Sequence, residues 1–573
     1  MPTKAKLIIC LGVALAPCLP MPAFADEVLT VKTIVSPPSG QIIRSFDISW
    51  VDSKLHTYAL AASALNPSPT AIGPASNPAI VIVDTLKNAV VDELGGGAST
   101  PFAGSCVAPK GRDMVGFSGP NGVIIVEKGK GTNEVWAADG PIVSPPCPIN
   151  PAATGPGSGL PNQFTGSITL TTLTDATAPA YGAIAVGQTL IGPNVAPHTT
   201  ITGSALSNSG ACTPSCTGNG TNAGGTYAVS VSQTAASEEM SAFSIGPAGT
   251  RHSQVVVFDL ITGAVKAKIS TGGSFRADEL CYAPSSNGNV NGNGNGNGKG
   301  VVLVANDEAG DLFVTFIDTS TYTVIQTMHF DGTDPNANNI NATGGIEQCQ
   351  FNPRDGNFYL NIPGSTTGGH TLRISQKNKN SPFTVTADFN SADVTACAPN
   401  GLAVGPAGQL GLGCSGNPPN EAVIISDIDG STVSILPGLG RADEDWYNPG
   451  SNHYYFAASS PADLGVADAG NRGTSACNVA SPPAGCPASD GTIPTASGSH
   501  SVAADSVLNT VFVPIRAGNT PPPGTLVCSS GLDSVTGLPG SDTDGCIAVY
   551  TATNDSDDVA AGNGNGNGQG NGN

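Results

Sequence analysis

Charged side chains are scarce in this sequence. They make up 11% of 573 residues, with 22 Lys and Arg against 43 Asp and Glu. A formal charge of −21 with no cluster of basic residues excludes nucleic acid as a partner, because phosphate binding needs grouped Lys and Arg. So little charge beside 74 Gly also excludes a long-helix or coiled-coil protein and favours strands joined by turns. No run of 18 apolar residues occurs, so no segment reads as a transmembrane helix. CxxC and CxxCH are absent, which leaves no zinc ribbon and no covalent haem. HExxH, G-x-S-x-G and a P-loop are absent too, so no nucleotide site is marked.

What is present begins with an export signal. Lys4 and Lys6 precede a short apolar run, Leu7 to Ala16, and Ala23-Phe24-Ala25 supplies a small-x-small cleavage site. Residues 1–25 therefore read as a signal peptide, and the mature chain as an exported, soluble monomer of the periplasm or the extracellular space. Twelve cysteines follow the signal, an even number that suits disulfides outside the cytoplasm. Pairing neighbours along the chain predicts 106–147, 212–216, 281–349, 397–414, 477–486 and 528–546.

The dominant pattern is a repeat. Seven phrases have the same shape: FDISWVDS (46–53), PNGVIIVE (120–127), ADELCYAP (277–284), GIEQCQFNP (345–353), PNGLAVGP (399–406), ADEDWYNP (442–449) and SHSVAADS (499–506). A second apolar strand follows each, such as GVVLVAND (300–307) and HYYFAAS (453–459). Several continue into a third and fourth strand through a D-x-x-[TN]-G-like turn, as in QVVVFDLITGAVKAKIS (254–270). Four-stranded units repeated radially make a β-propeller. The expected fold is all-β: a seven-bladed β-propeller with an inserted all-β module and disordered Gly-Asn tracts. VLTVKTIVS (28–36) has no blade before it and GCIAVYTA (545–552) has no fourth strand after it, so the two should complete the seventh blade together.

The phrase pattern resembles the YVTN-type, quinoprotein-like propellers of exported bacterial proteins, over about 28–150 and 250–552. The second repeat is too long for one blade, and its excess contains IAVGQTLIGPNV, TTITG and GTYAVSVSQT. These resemble a small β module found inserted in bacterial surface and phage tail proteins. The expected division is 1–25 signal, 26–150 blades one and two, 151–250 inserted module, 251–555 the rest of blades two to seven, and 556–573 a tail. The tracts at 287–300 and 562–573 carry no apolar side chains with which to offset ordering entropy.

Six positions before the turn Pro or its equivalent, the phrases carry Asp47, Asn121, Asp278, Glu347, Asn400, Asp443 and His500. In a propeller this position opens the innermost strand, at the channel mouth. Two acids follow an Arg in the repeated phrase RADE, Arg276 and Arg441, which are placed to pair with them. Converging oxygens suit Ca²⁺, and His500 widens the choice to Zn²⁺ or Mn²⁺. The set is similar in kind to the gluconolactonase-type propellers. That resemblance implies Glu347, Asn400 and Asp443 as metal ligands and Asp278 and His500 as catalytic base or substrate contacts, with Asp47 and Asn121 lining the channel. A polar lining that only holds ordered water is the competing reading. Two functions follow: a scaffold binding a protein, a surface polymer or a small ligand at the mouth, or a metal-dependent, lactonase-like hydrolase.

Overall fold

In a computed structural model, the described residues are 29–37, 41–66, 78–96, 100–102, 119–128, 132–140, 143–144, 163–175, scattered positions from 184 to 200, 201–204, 226–245, 253–273, 276–284, 300–307, 312–378, 381–416, 421–471, 477, 483–496, 498–517, 528 and 545–552. The signal peptide expected at 1–25, the Gly-Asn tracts up to 299 and at 562–573, and the 106–147 and 212–216 cysteine pairs lie outside them. The other four pairs are disulfides: Cys281–Cys349, Cys397–Cys414, Cys477–Cys486 and Cys528–Cys546.

The chain is all-β, and its described residues include seven antiparallel four-stranded sheets. The first holds Ser49–Asp52, Thr57–Ala62, Ala79–Asp84 and Ala89–Leu94. The second holds Val123–Val126, Glu134–Asp139, Gln254–Asp259 and Val265–Ser270. Ala277–Pro284, Gly300–Asn306, Phe313–Asp318 and Thr323–His329 form the third. The fourth runs Cys349–Asn352, Asn357–Ile362, His370–Gln376 and Phe383–Phe389. The fifth runs Pro399–Val404, Gln409–Cys414, Glu421–Ser426 and Thr432–Pro437. Ala442–Asn448, His453–Ser459, Ala462–Asp468 and Ala488–Pro494 form the sixth.

The seventh sheet joins the ends of the chain. Ala503–Asp505, Thr510–Ile515 and Cys546–Thr551 are its first three strands, and Thr30–Val35 is its fourth. Ile34 pairs with Ala548 and Val35 with Ile547, so no outer edge of Cys546–Thr551 is left open. Each sheet's first strand packs against the first strands of the sheets before and after it, and the last packs against the first. This ring of inner strands is the arrangement of a β-propeller.

Burial follows the radius. In the third sheet Gly300–Asn306 is buried throughout, while Thr323–His329 begins with three exposed residues. Strands covered on both faces read as continuous apolar runs, and the rim strand keeps exposed positions. The hairpin turns share one mechanism. The carboxylates of Asp52, Asp84, Asp259, Asp318 and Asp505 accept backbone N–H groups two to three residues later. Four residues after each Asp, the chain turns left-handed at His56, Asn88, Gly263, Tyr322 and Asn509.

Between the second and third strands of the second sheet, in sequence, lies a five-stranded sheet: Val143–Ser144, Gln163–Asp175, Thr189–Ile191, Ile201–Ser204 and Thr226–Ile245. Phe164, Ile168, Leu173, Leu190, Ile201 and Met240 belong to its separate apolar cluster. Two elements were not legible in the sequence. One is a small sheet, Ile42–Ser45 with Ala64–Asn66. The other is a short helix, Ala392–Cys397, whose N-cap Ser391 accepts the Val394 N–H.

Candidate functional site

The seven ring positions stand at or just before the inner strands, and local irregularity sets where they point. The ladder between first and second strands is interrupted around Asp278, Asn400 and Asp443: pairing jumps from Ala277 to Leu280, from Pro399 to Leu402 and from Ala442 to Glu444. A bulge re-aims the side chains it carries. Both RADE phrases therefore mark the same structural event, a bulge at the opening of an inner strand.

One part of the ring is a charged chain. The Arg276 Nη2 donates to Asp47 Oδ2 and lies 2.9 Å from Asp278 Oδ1. Asp47 Oδ1 is 3.0 Å from His500 Nε2, and His500 Nδ1 meets the Gly498 carbonyl at 2.8 Å. Side-chain exposures of 21% for Arg276, 14% for Asp47, 16% for His500 and 5% for Asp278 leave the group largely dry but within reach of solvent. Burial raises Asp47, but Arg276 and His500 outweigh it and hold the carboxyl at about 2. Burial lowers His500, yet the bond to Asp47 and the charges of Asp443 and Asp47 lift it to about 9. His500 is thus charged at neutral pH, which suits contact with an anionic oxygen and not acceptance of a proton.

The other part is acidic. Asn400 Nδ2 donates to Asp443 Oδ1 at 3.0 Å, while Asn400 Oδ1 has no hydrogen-bond partner. Burial pushes Glu347 well above the usual carboxylate range, and Asp443, Asp307 and Asp278 push it further. Burial does the same to Asp278, with Arg276 opposing and Asp47, Asp307 and Asp443 adding. Asp307, which follows the second strand of the third sheet, is also raised by burial and by Asp47. Glu347, Asn400 and Asp443 as placed are a hydrogen-bonded pair with a carboxyl in the same field. Among the described residues no three His, Cys, Asp or Glu side chains are grouped to hold a metal ion.

Asn121 serves the frame. It is fully buried, its Nδ2 donates to the Ala277 carbonyl at 3.0 Å, and its own carbonyl accepts from Ile48 N–H at 3.2 Å, joining three neighbouring inner strands. Gln348 does likewise between the fourth, fifth and sixth sheets: its Oε1 accepts from Leu402 N and from Asp445 N at 2.9 Å. Arg441 is exposed and forms no ion pair with Asp443, unlike Arg276 in the matching phrase. The fourth letter of RADE went unread in the sequence. Glu279 and Glu444 are both buried, and burial raises both far above the usual range. Ser501 Oγ donates to Glu444 Oε2 and lies 2.7 Å from Ser49 Oγ, so Glu444 connects the sixth, seventh and first sheets.

No family model matches the chain, and no curated protein matches it. Solved structures resemble it at low identity. A chain of the mitotic checkpoint complex is 8% identical, covering 96% of this chain and 99% of its own, at a TM-score of 0.42. The β-propeller domain of a Myceliophteria thermophila protein is 11% identical, covering 52% of this chain and 90% of its own, at 0.30. A putative 6-phosphogluconolactonase from Bacteroides uniformis is 16% identical, covering 52% and 81%, at 0.32. At such identities and scores these likenesses carry no argument about function.

Proposed function

We propose that the chain is an exported, seven-bladed β-propeller that serves as a binding scaffold, taking a cationic ligand or ion at the mouth of its central channel. The closed succession of seven inner strands supports the blade count. The five-stranded sheet with its own apolar cluster supports a separate inserted module. Four disulfides support export, and no helix among the described residues is long and apolar enough to cross a membrane.

The observation that carries the reading is the charge balance at the mouth. Asp47, Asp278, Asp307, Glu347 and Asp443 share one field with a single Arg276 and a single His500. Buried carboxyl groups in one another's field repel or keep their protons, and a cation relieves both costs. The test is elemental analysis of protein purified without chelator, with melting curves in calcium, zinc or manganese chloride and in a diamine. The reading expects a stoichiometric ion, or a saturable rise in Tm, either of which disappears in Glu347→Gln/Asp443→Asn. Neither effect would make the ring a water-holding polar lining.

A lactonase-like hydrolase at the same mouth is the second reading. It is favoured by the carboxyls of Glu347 and Asp278, which burial and neighbouring acids shift toward their protonated forms, the direction that general acid–base work needs. Hydrolysis of simple lactones, lost in Asp278→Asn, separates it from a binder.

A further inference from the structure

A second constellation lies outside the ring, in the fourth sheet. Ser365 Oγ is 2.7 Å from His370 Nε2, and His370 Nδ1 is 2.7 Å from Asp388 Oδ1. We propose that Ser365, His370 and Asp388 form a nucleophilic serine site that accepts a small acyl group from a carboxylic ester.

The elements position each member. His370 opens the third strand, and Asp388 lies near the end of the fourth, opposite Leu372. The imidazole and the carboxylate are therefore diagonal neighbours on one face of a two-strand ladder. His370 is 1% exposed, whereas Asp388 keeps 24% of its side chain in solvent. The other oxygen of Asp388 accepts from Asn390 Nδ2 at 3.4 Å. Ser365 stands in the loop between the second and third strands. That loop is pinned where Thr343 N–H donates to Gly364 O at 2.9 Å and Thr366 N–H donates to Asn341 O at 3.1 Å. Gly368 holds φ at +112° with no room for a side chain, because an added Cβ would stand 2.3 Å from Thr395 Cγ2.

The direction of the protons follows from what each group is able to donate. An ionised Asp388 only accepts, so Nδ1 carries the hydrogen and Nε2 presents its lone pair toward Ser365. Thr367 N–H donates to Ser365 Oγ at 2.9 Å, and Nε2, at 2.7 Å, is nearer to the Ser365 hydroxyl than Thr367 Oγ1 at 3.0 Å. Thr367 Oγ1, 3.0 Å from Nε2 and 3.0 Å from Ser365 Oγ, completes the group. A serine with its hydroxyl on an imidazole and the imidazole oriented by a carboxylate is the arrangement that activates a hydroxyl, while the Thr367 N–H fixes where Ser365 Oγ sits.

The step balances without a further reagent. Ser365 Oγ bonds to the ester carbonyl carbon as its proton passes to His370 Nε2. The imidazolium then returns that proton to the departing alkoxide as the C–O bond breaks, and water repeats the cycle to release the acid. The surroundings set the substrate class. Thr366 and Thr367 are exposed, and the loop runs Gly-Ser-Thr-Thr-Gly-Gly from 364 to 369, so it offers no apolar side chain to a long acyl chain. Short, polar acyl groups fit. The loop joins the second strand to the third, which places it on the face where the inner strands begin.

The test is covalent. The mature protein is treated with a fluorophosphonate, and the adduct is mapped by peptide mass spectrometry. The expected result is one phosphonyl group on Ser365 with loss of fluoride. His370→Gln should abolish labelling, and Asp388→Asn should slow it by roughly 10²- to 10⁴-fold while melting as wild type does. Turnover of p-nitrophenyl acetate should fall in parallel. No adduct on Ser365 in the wild-type protein, or labelling at an equal rate in His370→Gln, overturns the proposal. The wild-type map decides the point even if a variant fails to fold.

Discussion

His500 Nε2 lies 3.0 Å from Asp47 Oδ1, although 453 residues separate them. The contact joins the last sheet to the first beside the inner strand Ala503–Asp505, at the opposite edge of the seventh sheet from Thr30–Val35. It also has a pH signature. His500 is raised from 6.5 to about 9, so its contribution is fully present below 6.5 and is lost as pH rises through 9. Asp47 is lowered from 3.8 to about 2, so its share is present above 3.8 and is lost as pH falls through 2. Stability should therefore decline between pH 6.5 and 9 by on the order of 2–3 kcal/mol from this group. Urea melts across that range check it: His500→Gln should flatten the alkaline decline, and an unchanged slope would contradict the assignment.

The raised carboxyls give the opposite prediction for a substitution. Glu347 is held above its ordinary range by burial and by three other acids, so its ionised form costs stability at alkaline pH. Glu347→Gln should raise Tm more at pH 8 than at pH 5, because the cost of ionising the buried carboxyl grows with pH. A lower Tm at both pH values would mean that Glu347 is held by contacts its charge does not explain.

The repeat was legible because blade strands buried on both faces read as apolar runs, and because Asp at each turn has a local mechanism. All seven quoted phrases contain an inner strand, and the closing role expected of 28–36 is met by Thr30–Val35. The ring residues were legible as positions and not as contacts. Asp278 and Asp443 occupy the same place in RADE, yet only the first has its arginine turned inward. Nothing local distinguishes Arg276 from Arg441; the difference is Asp47, contributed by the first sheet. His370 likewise belongs to no local sequence motif, because Ser365 lies in a loop of Thr and Gly and Asp388 lies one strand further on. Such groups form through strand register, and a sequence pattern does not state register across a long hairpin.

Glu134 shows how a buried acid holds two sheets together. It accepts from Trp136 Nε1 at 3.0 Å, Tyr322 Oη at 2.5 Å and Lys266 Nζ at 2.6 Å, with Lys128 Nζ at 3.2 Å. Burial opposes its charge, but these partners bring it below the ordinary glutamate value. Glu134→Ala would strand two ammonium groups and a phenol and should cost about 3 kcal/mol. Glu134→Gln keeps part of the hydrogen bonding and should cost less. Equal losses from the two variants, measured by denaturant unfolding, would show that volume rather than charge matters there.

The closing strand offers the most direct test of the ring. Thr30–Val35 is held through one neighbour, Cys546–Thr551, so its pairing is the only ladder that ties the start of the described chain to its end. Ile34 pairs with Ala548 and is partly buried against the core, so proline there removes a backbone donor as well as packing. Ile34→Pro should cost about 3 kcal/mol and expose Cys546–Thr551 as a free edge, with self-association following from it. The measurement is Tm together with light scattering, beside Ile34→Val as a control that keeps the ladder. Because Cys528–Cys546 anchors the exposed strand at its start, loss should be confined at first to the seventh sheet. Hydrogen exchange should therefore rise at Thr510–Ile515 and Cys546–Thr551 while Asn357–Ile362, on the far side of the ring, keeps its protection. Uniform exchange across both regions would mean that the sheets unfold as one unit and that closure sets the stability of the whole ring.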